Sequence, residues 1–96
     1  MYTSLDQLNA EFFKTLGHPA RNRILELLAR RVLSVSELQT EVGLEGSHMS
    51  QQLGIMRRAG VVVARKQGNA VIYSMASPAI AELRAVARTV LTGRLD

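Results

Sequence analysis

Between Gly46 and Ala81 the chain carries polar and basic side chains in succession and neither Asp nor Glu. Ser47, His48, Ser50, Gln51 and Gln52 bring hydroxyl, imidazole and amide groups that both donate and accept hydrogen bonds. Arg57, Arg58, Arg65 and Lys66 follow with positive charge. Groups of the first kind can pair with base edges and those of the second with phosphate oxygens, a division of labour that suits the reading of duplex DNA.

Other chemistries fit these residues less well. His48 beside Ser47 and Ser50 offers a base and a nucleophile by type, but adjacent positions on a helix point apart and no acid or oxyanion loop orients them. Gly43 and Gly46 are not followed by Lys-Ser or Lys-Thr, so they form no phosphate loop. The chain has no cysteine, which excludes disulfides, thiolate metal sites and thiol redox sensing. His18, just before Pro19, is most simply a helix N-cap, and two histidines so separated in chain and role make no ligand set. No catalysis, cofactor or metal is expected.

Local patterns predict the elements that carry these residues. Ser4 caps a first helix with Gln7 reaching back, and Leu5, Leu8, Phe12 and Leu16 share one face while Phe13 lies off it, so that this helix is buried on two sides. Pro19 opens a second helix that buries Ile24, Leu25, Leu27 and Leu28 and ends near Arg30 and Arg31. Ser34 and Glu37 form the capping box of a short third helix with Leu38 and Val42 inside. A glycine turn from Gly43 to Gly46 leads to a fourth helix with Met49, Leu53 and Met56 on its inner face. Gly17, Gly43 and Gly60 each suit a left-handed residue after a helix. Val61 to Lys66 and Ala70 to Met75 then form a hairpin around Gln67-Gly68-Asn69, and Ser77-Pro78 opens a last helix with an Ile80, Leu83, Ala87, Val90, Leu91 stripe.

The fold class is therefore mainly α with a β-hairpin: four helices, two strands and a helix, in one domain over 1–96. With 96 residues, 47% of them hydrophobic, a single core is near its lower size limit and oligomerisation would help it. Net charge is +4, with the acids confined to positions 6–45, Glu82 and Asp96. Met1 to Ala10 has neither the basic run nor the apolar core of a secretory signal or anchor, so a soluble cytoplasmic protein with no membrane partner is expected.

A short helix, a glycine turn, a polar-faced helix and a basic hairpin make a winged helix-turn-helix, with the helix-turn-helix at about 34–59 and the wing at about 61–75. Leu16-Gly17-His18-Pro19-Ala20-Arg21, Ile24-Leu25-Glu26-Leu27-Leu28, Ser36-Glu37-Leu38, Ser50-Gln51-Gln52-Leu53, Arg57-Arg58-Ala59-Gly60-Val61-Val62 and Gly68-Asn69-Ala70-Val71-Ile72-Tyr73 resemble ArsR/SmtB-type repressors. The resemblance covers the motifs from about Leu16 to Tyr73 and the layout of the flanking helices. It implies a homodimeric regulator that sits on a double-stranded DNA operator and leaves it when an effector, unnamed by the sequence, binds. Ser47 to Ala59 would be the recognition helix, with Ser47, His48, Ser50, Gln51 and Gln52 toward the major groove and Gln51 or Gln52 pairing bidentately with adenine. Arg65, Lys66, Gln67 and Asn69 in the wing would meet phosphate or the minor groove, and Arg57 a backbone oxygen. Helices at about 4–16 and 78–92 would dimerise through Leu5, Leu8, Phe12, Phe13, Leu83, Val90 and Leu91.

Two departures from the family's pattern stand out. Metal-sensing members often carry Cys-x-Cys at the third helix, where this chain has Ser34 and Ser36, and others use acids and histidines on the last helix, which here offers Glu82 alone up to Leu95. The expectation is therefore a non-metal signal, the alternatives being a cysteine-free metal sensor using His18, Glu26 or Glu82 and a winged helix that docks protein. The second departure is Gly54, inside the recognition helix, where glycine costs about 1 kcal/mol relative to alanine.

Overall fold

Helices begin in this chain where a side chain takes over a free backbone N–H. The computed structural model describes residues 1–95. Its order is α1 (Ser4–Leu16), α2 (Pro19–Leu28), β1 (Leu33–Ser34), α3 (Val35–Val42), α4 (Gly46–Arg58), β2 (Val62–Gln67), β3 (Ala70–Met75) and α5 (Pro78–Leu95). The predicted helices and hairpin are all present, with α5 three residues longer than expected.

At α3 the box is as expected: Ser34 Oγ accepts from the Glu37 N–H at 3.1 Å, and Glu37 Oε1 accepts from the Ser34 N–H at 2.9 Å. His18 Nδ1 likewise accepts from the Ala20 N–H at 3.1 Å, with Pro19 as the first residue of α2. At α1 the box lies one residue earlier than predicted. Thr3, not Ser4, is the cap, because Asp6 accepts from both the Thr3 N–H and its hydroxyl at 2.9 Å, and a carboxylate is a stronger acceptor than the Gln7 amide.

Helix ends correct two further expectations. Gly43 and Gly60 are left-handed, at φ 79 and 76°, but Gly17 is at φ −80°. The last carbonyls of α1 need no left-handed turn because Arg21 of α2 donates to them. Helix α2 stops at Leu28, short of the basic pair, and Arg31 instead reaches Glu37 of α3 at 3.1 Å. At the end of α4, Val61 N–H donates to the Met56 carbonyl at 3.1 Å and Gly60 N–H to that of Arg57 at 3.0 Å, a Schellman motif that turns the chain into the wing.

The hairpin is not alone. Leu33 and Ser34 pair antiparallel with Tyr73 and Ile72, giving a three-stranded sheet in the order β1-β3-β2. Two residues are too few to show strand periodicity, which is why β1 was invisible in the sequence. The turn is two residues, Gly68 and Asn69, with Gly68 at φ 62° and Asn69 not at positive φ, as a type II′ hairpin requires.

One core joins these elements. Ile24, Leu25, Leu27 and Leu28 of α2 meet Leu33, Leu38, Met49, Leu53, Met56, Val61, Val62, Tyr73 and Ile80. Full burial of such side chains contributes ~1.5–3 kcal/mol each. Phe12 and Leu16 pack against this core, so Phe12 faces inward, whereas Leu5, Leu8, Phe13, Val90 and Leu91 lie exposed along α1 and α5. No helix among the described residues is long and apolar enough to cross a membrane.

Candidate nucleic-acid interface

Burial of Met49, Leu53 and Met56 determines what α4 shows outward. With ~3.6 residues per turn, the stripe opposite them is Ser47, Gln51, Gly54 and Arg58, at i, i+4, i+7 and i+11. Ser50 and Arg57 flank it on one side, His48 and Gln52 on the other. Ser47, His48, Ser50, Gln51, Arg57 and Arg58 are exposed, and Gln52 is half-buried. No side chain among the described residues caps the start of α4, so its N-terminus keeps free N–H groups on the same surface.

Gln52 differs from its neighbours. Its Oε1 accepts from Arg21 Nη1 at 2.9 Å, whereas the side-chain amide of Gln51 makes no hydrogen bond among the described residues. The two glutamines offered for pairing with adenine thus differ: the amide of Gln51 is free among the described residues and that of Gln52 is tethered. Arg21 was not legible as part of this surface, since it lies 31 positions from Gln52 in the chain. Arg58, which the sequence marks only by its charge, lies on the outward stripe itself.

In the wing, Arg65, Lys66, Gln67 and Asn69 are all exposed. Arg65 pairs with Ile72 and Lys66 with Val71, so by strand alternation the two cations point to opposite faces of the hairpin. The ion pairs among the described residues are Arg23 and Arg30 with Glu26 and Arg31 with Glu37, and none involves Arg57, Arg58, Arg65 or Lys66. Glu26 and Glu37 are engaged on other elements, while Glu45, the exposed N-cap residue of α4, makes no ion pair among the described residues. Glu37 is held below the usual carboxylate range chiefly by the Ser34 N–H, then by Arg31.

A second surface lies away from the wing. Phe13, Leu16, Leu83, Ala87 and Leu91 line a groove of about 460 Å³ between α1 and α5, with Arg84 at its edge. Arg84 Nη2 donates to the Asn22 carbonyl at 3.2 Å, and burial lowers the pKa of its guanidinium, with Glu26 opposing. The groove continues into exposed Val90 and the outer face of α1.

The residues at the family's metal positions do not fit a metal. Ser34 Oγ is committed to the N–H of Glu37 and His18 Nδ1 to that of Ala20. Glu45 and His48 have Glu-x-x-His spacing, but no three His, Cys, Asp or Glu side chains gather into a ligand group among the described residues.

Known proteins share this fold. The profile of the arsR family of bacterial regulatory proteins matches residues 18–63. An uncharacterised HTH-type transcriptional regulator of Mycobacterium tuberculosis, Rv0081, is 68% identical over 91% of this chain and 77% of its own length. Its crystal structure superposes with a TM-score of 0.91 at 64% identity, covering 98% of this chain and 95% of that one. A biofilm growth-associated repressor of Agrobacterium fabrum is 38% identical over 77% of this chain and 63% of its own. A homodimeric winged helix-turn-helix DNA-binding domain from Mycobacterium bovis gives a TM-score of 0.90 at 29% identity, covering 96% of this chain and 85% of that one. On sequence, fold and the build of its outward helix and wing, the chain belongs to the ArsR family of DNA-binding transcriptional regulators.

Proposed function

We propose that this protein is a homodimeric repressor whose two α4 helices enter successive major grooves of an inverted-repeat operator. The observation that carries this is the pairing of an outward polar stripe on α4 with wing cations that no carboxylate among the described residues neutralises. In this reading Gln51 is the principal base reader, flanked by Ser47, His48, Ser50 and Gln52. Arg57, Arg65, Lys66, Gln67 and Asn69 grip the backbone or the minor groove. Cations on both faces of the hairpin suit a wing lying between two phosphate chains.

The dimer is formed by α1 and α5 through Leu5, Leu8, Phe13, Leu83, Val90 and Leu91, with Phe12 backing the contact from within. The exposure of Leu5, Leu8, Phe13, Val90 and Leu91 supports this, as does the homodimeric state of the Mycobacterium bovis domain. Two-fold symmetry then places the recognition helices about 34–36 Å apart. The repressor from Agrobacterium fabrum supports repression as the mode. Release is by a non-metal signal, supported by serines that act as a cap and a helix residue where thiolates would stand.

Footprinting on DNA upstream of the protein's own gene tests the reading. A protected inverted repeat is expected, with Gln51→Ala relaxing base preference and Arg65→Ala weakening all sequences alike. Equal, sequence-blind losses from both would show the base reader misassigned. Tight stoichiometric Zn²⁺ or Ni²⁺ binding that weakens operator affinity would overturn the non-metal signal.

A further inference from the structure

Arg21 joins three elements. From the first turn of α2 its Nε donates to the Thr15 carbonyl at 2.6 Å and its Nη2 to the Lys14 carbonyl at 3.4 Å, closing the end of α1. Its Nη1 donates to Gln52 Oε1 on α4 at 2.9 Å. A guanidinium has donors only, so the atom of Gln52 that faces it must be the amide oxygen. The –NH₂ is left as the group Gln52 has for a base edge.

This restricts what Gln52 can read. A free glutamine matches adenine with both amide atoms, donating to N7 and accepting from the N6 amino group. With one lone pair of that oxygen taken by a charged donor on α2, the –NH₂ leads: guanine offers it two adjacent acceptors, O6 and N7, and thymine O4, whereas adenine sets its N6 donor beside N7. We infer that Arg21 is a positioning residue for DNA readout: by drawing the Gln52 oxygen toward α2 it leaves the –NH₂ leading, so that Gln52 favours guanine or thymine over adenine, and it ties that choice to the end of α1. The inference rests on α4 being the reading helix. Because the same guanidinium closes α1, the orientation of the amide depends on where the proposed dimerisation helix sits.

Selection from randomised duplexes tests it, using the full-length wild type, Arg21→Met, Gln52→Ala, the double variant and Gln52→Glu, each checked by circular dichroism. Wild type should select guanine or thymine at the half-site position that Gln52→Ala relaxes. Arg21→Met should admit adenine there, improving its relative binding about tenfold, and should change nothing in the Gln52→Ala background. The salt dependence should be the same for Arg21→Met and wild type. Wild-type selection of adenine at that position would overturn the inference. So would an Arg21→Met loss shared by all sequences with a salt slope reduced by ~0.9, the mark of a lost phosphate contact. If Arg21→Met does not fold, Gln52→Glu decides: it keeps the tether, loses the donor and should move preference to cytosine, whose N4 donates. An unchanged profile for Gln52→Glu would then sink the inference while leaving α4 as reader; a wild type that selects no sequence at all would sink both.

Discussion

The guanidinium of Arg58 lies over Gly54, its Nη1 3.3 Å from where a Cβ on that glycine would stand. The space that glycine opens on the outward stripe of α4 is thus taken by a side chain one turn further along. That neighbour is the far end of a flexible chain, so a methyl group would displace it by a few tenths of an ångström, while the helix would gain ~1 kcal/mol of propensity. Gly54→Ala is therefore expected to raise the midpoint of thermal unfolding by roughly 4–8 °C for a domain of this size, compared at equal protein concentration. A lowered midpoint would mean that the seat of Arg58 is rigid and that glycine is required there.

The reciprocal bonds of Ser34 and Glu37 give stability a pH dependence of known sign. Glu37 is below its ordinary pKa, first because it accepts from the Ser34 N–H and then because of Arg31; Asp6 is lowered by the Thr3 N–H and then its hydroxyl. A carboxylate with a depressed folded-state pKa stabilises fully above its unfolded value, about 4.3 for Glu, and loses that contribution as pH falls through the folded value. Urea midpoints should accordingly drop on acidification below about pH 5, and Glu37→Gln, which keeps an amide in the box, should drop less. Parallel curves for the two proteins would mean that the carboxylate is not held in solution. At neutral pH, Ser34→Ala should cost about 1 kcal/mol through loss of the cap.

What could be read from the sequence was what is local. Met49, Leu53 and Met56 repeat at helical spacing, Ser34 and Glu37 are three apart, and Gly68-Asn69 is a turn by composition, so α4, the start of α3 and the wing all followed from neighbours in the chain. Competition between adjacent candidates was harder: Thr3 displaced Ser4 as a cap because Asp6 stood at the matching third position. Least legible were contacts made across the fold. The pairing of Leu33 with Tyr73 and the bond from Arg21 to Gln52 depend on tertiary placement, and no short-range pattern marks them. For the same reason Gly17 was expected to be left-handed: the donor that removes the need for it comes from the next helix.

The wing and the reading helix should separate in a salt titration. Arg65 and Lys66 are exposed with no ion-pair partner among the described residues, so each phosphate they neutralise releases counterions. Arg65→Ala should lower affinity for specific and non-specific duplexes alike and reduce the slope of log K against log salt by ~0.9. Gln51→Ala should leave the slope unchanged and erase ~1–3 kcal/mol of discrimination at one base pair. A slope unaffected by Arg65→Ala would place the wing off the backbone and favour a docking role for the hairpin.

Dimerisation can be tested without disturbing the core. Leu8 and Leu91 are 62% and 55% exposed within one chain and outside the buried core, so a charge at either position removes little of the protomer's own packing. In a dimer built on α1 and α5 the same charge would be buried without a partner, which is strongly destabilising to association. Leu8→Asp and Leu91→Asp are thus expected to halve the mass in sedimentation while keeping the helical circular dichroism signal. In the proposed complex two α4 helices bind a two-fold operator as one unit, so losing the link should weaken operator binding by on the order of 10²-fold or more, and binding to a single half-site far less. Variants that remain dimeric at micromolar concentration would move the interface off these helices. Variants that become monomers yet hold the full operator at wild-type strength would instead remove the two-fold geometry from the binding mechanism.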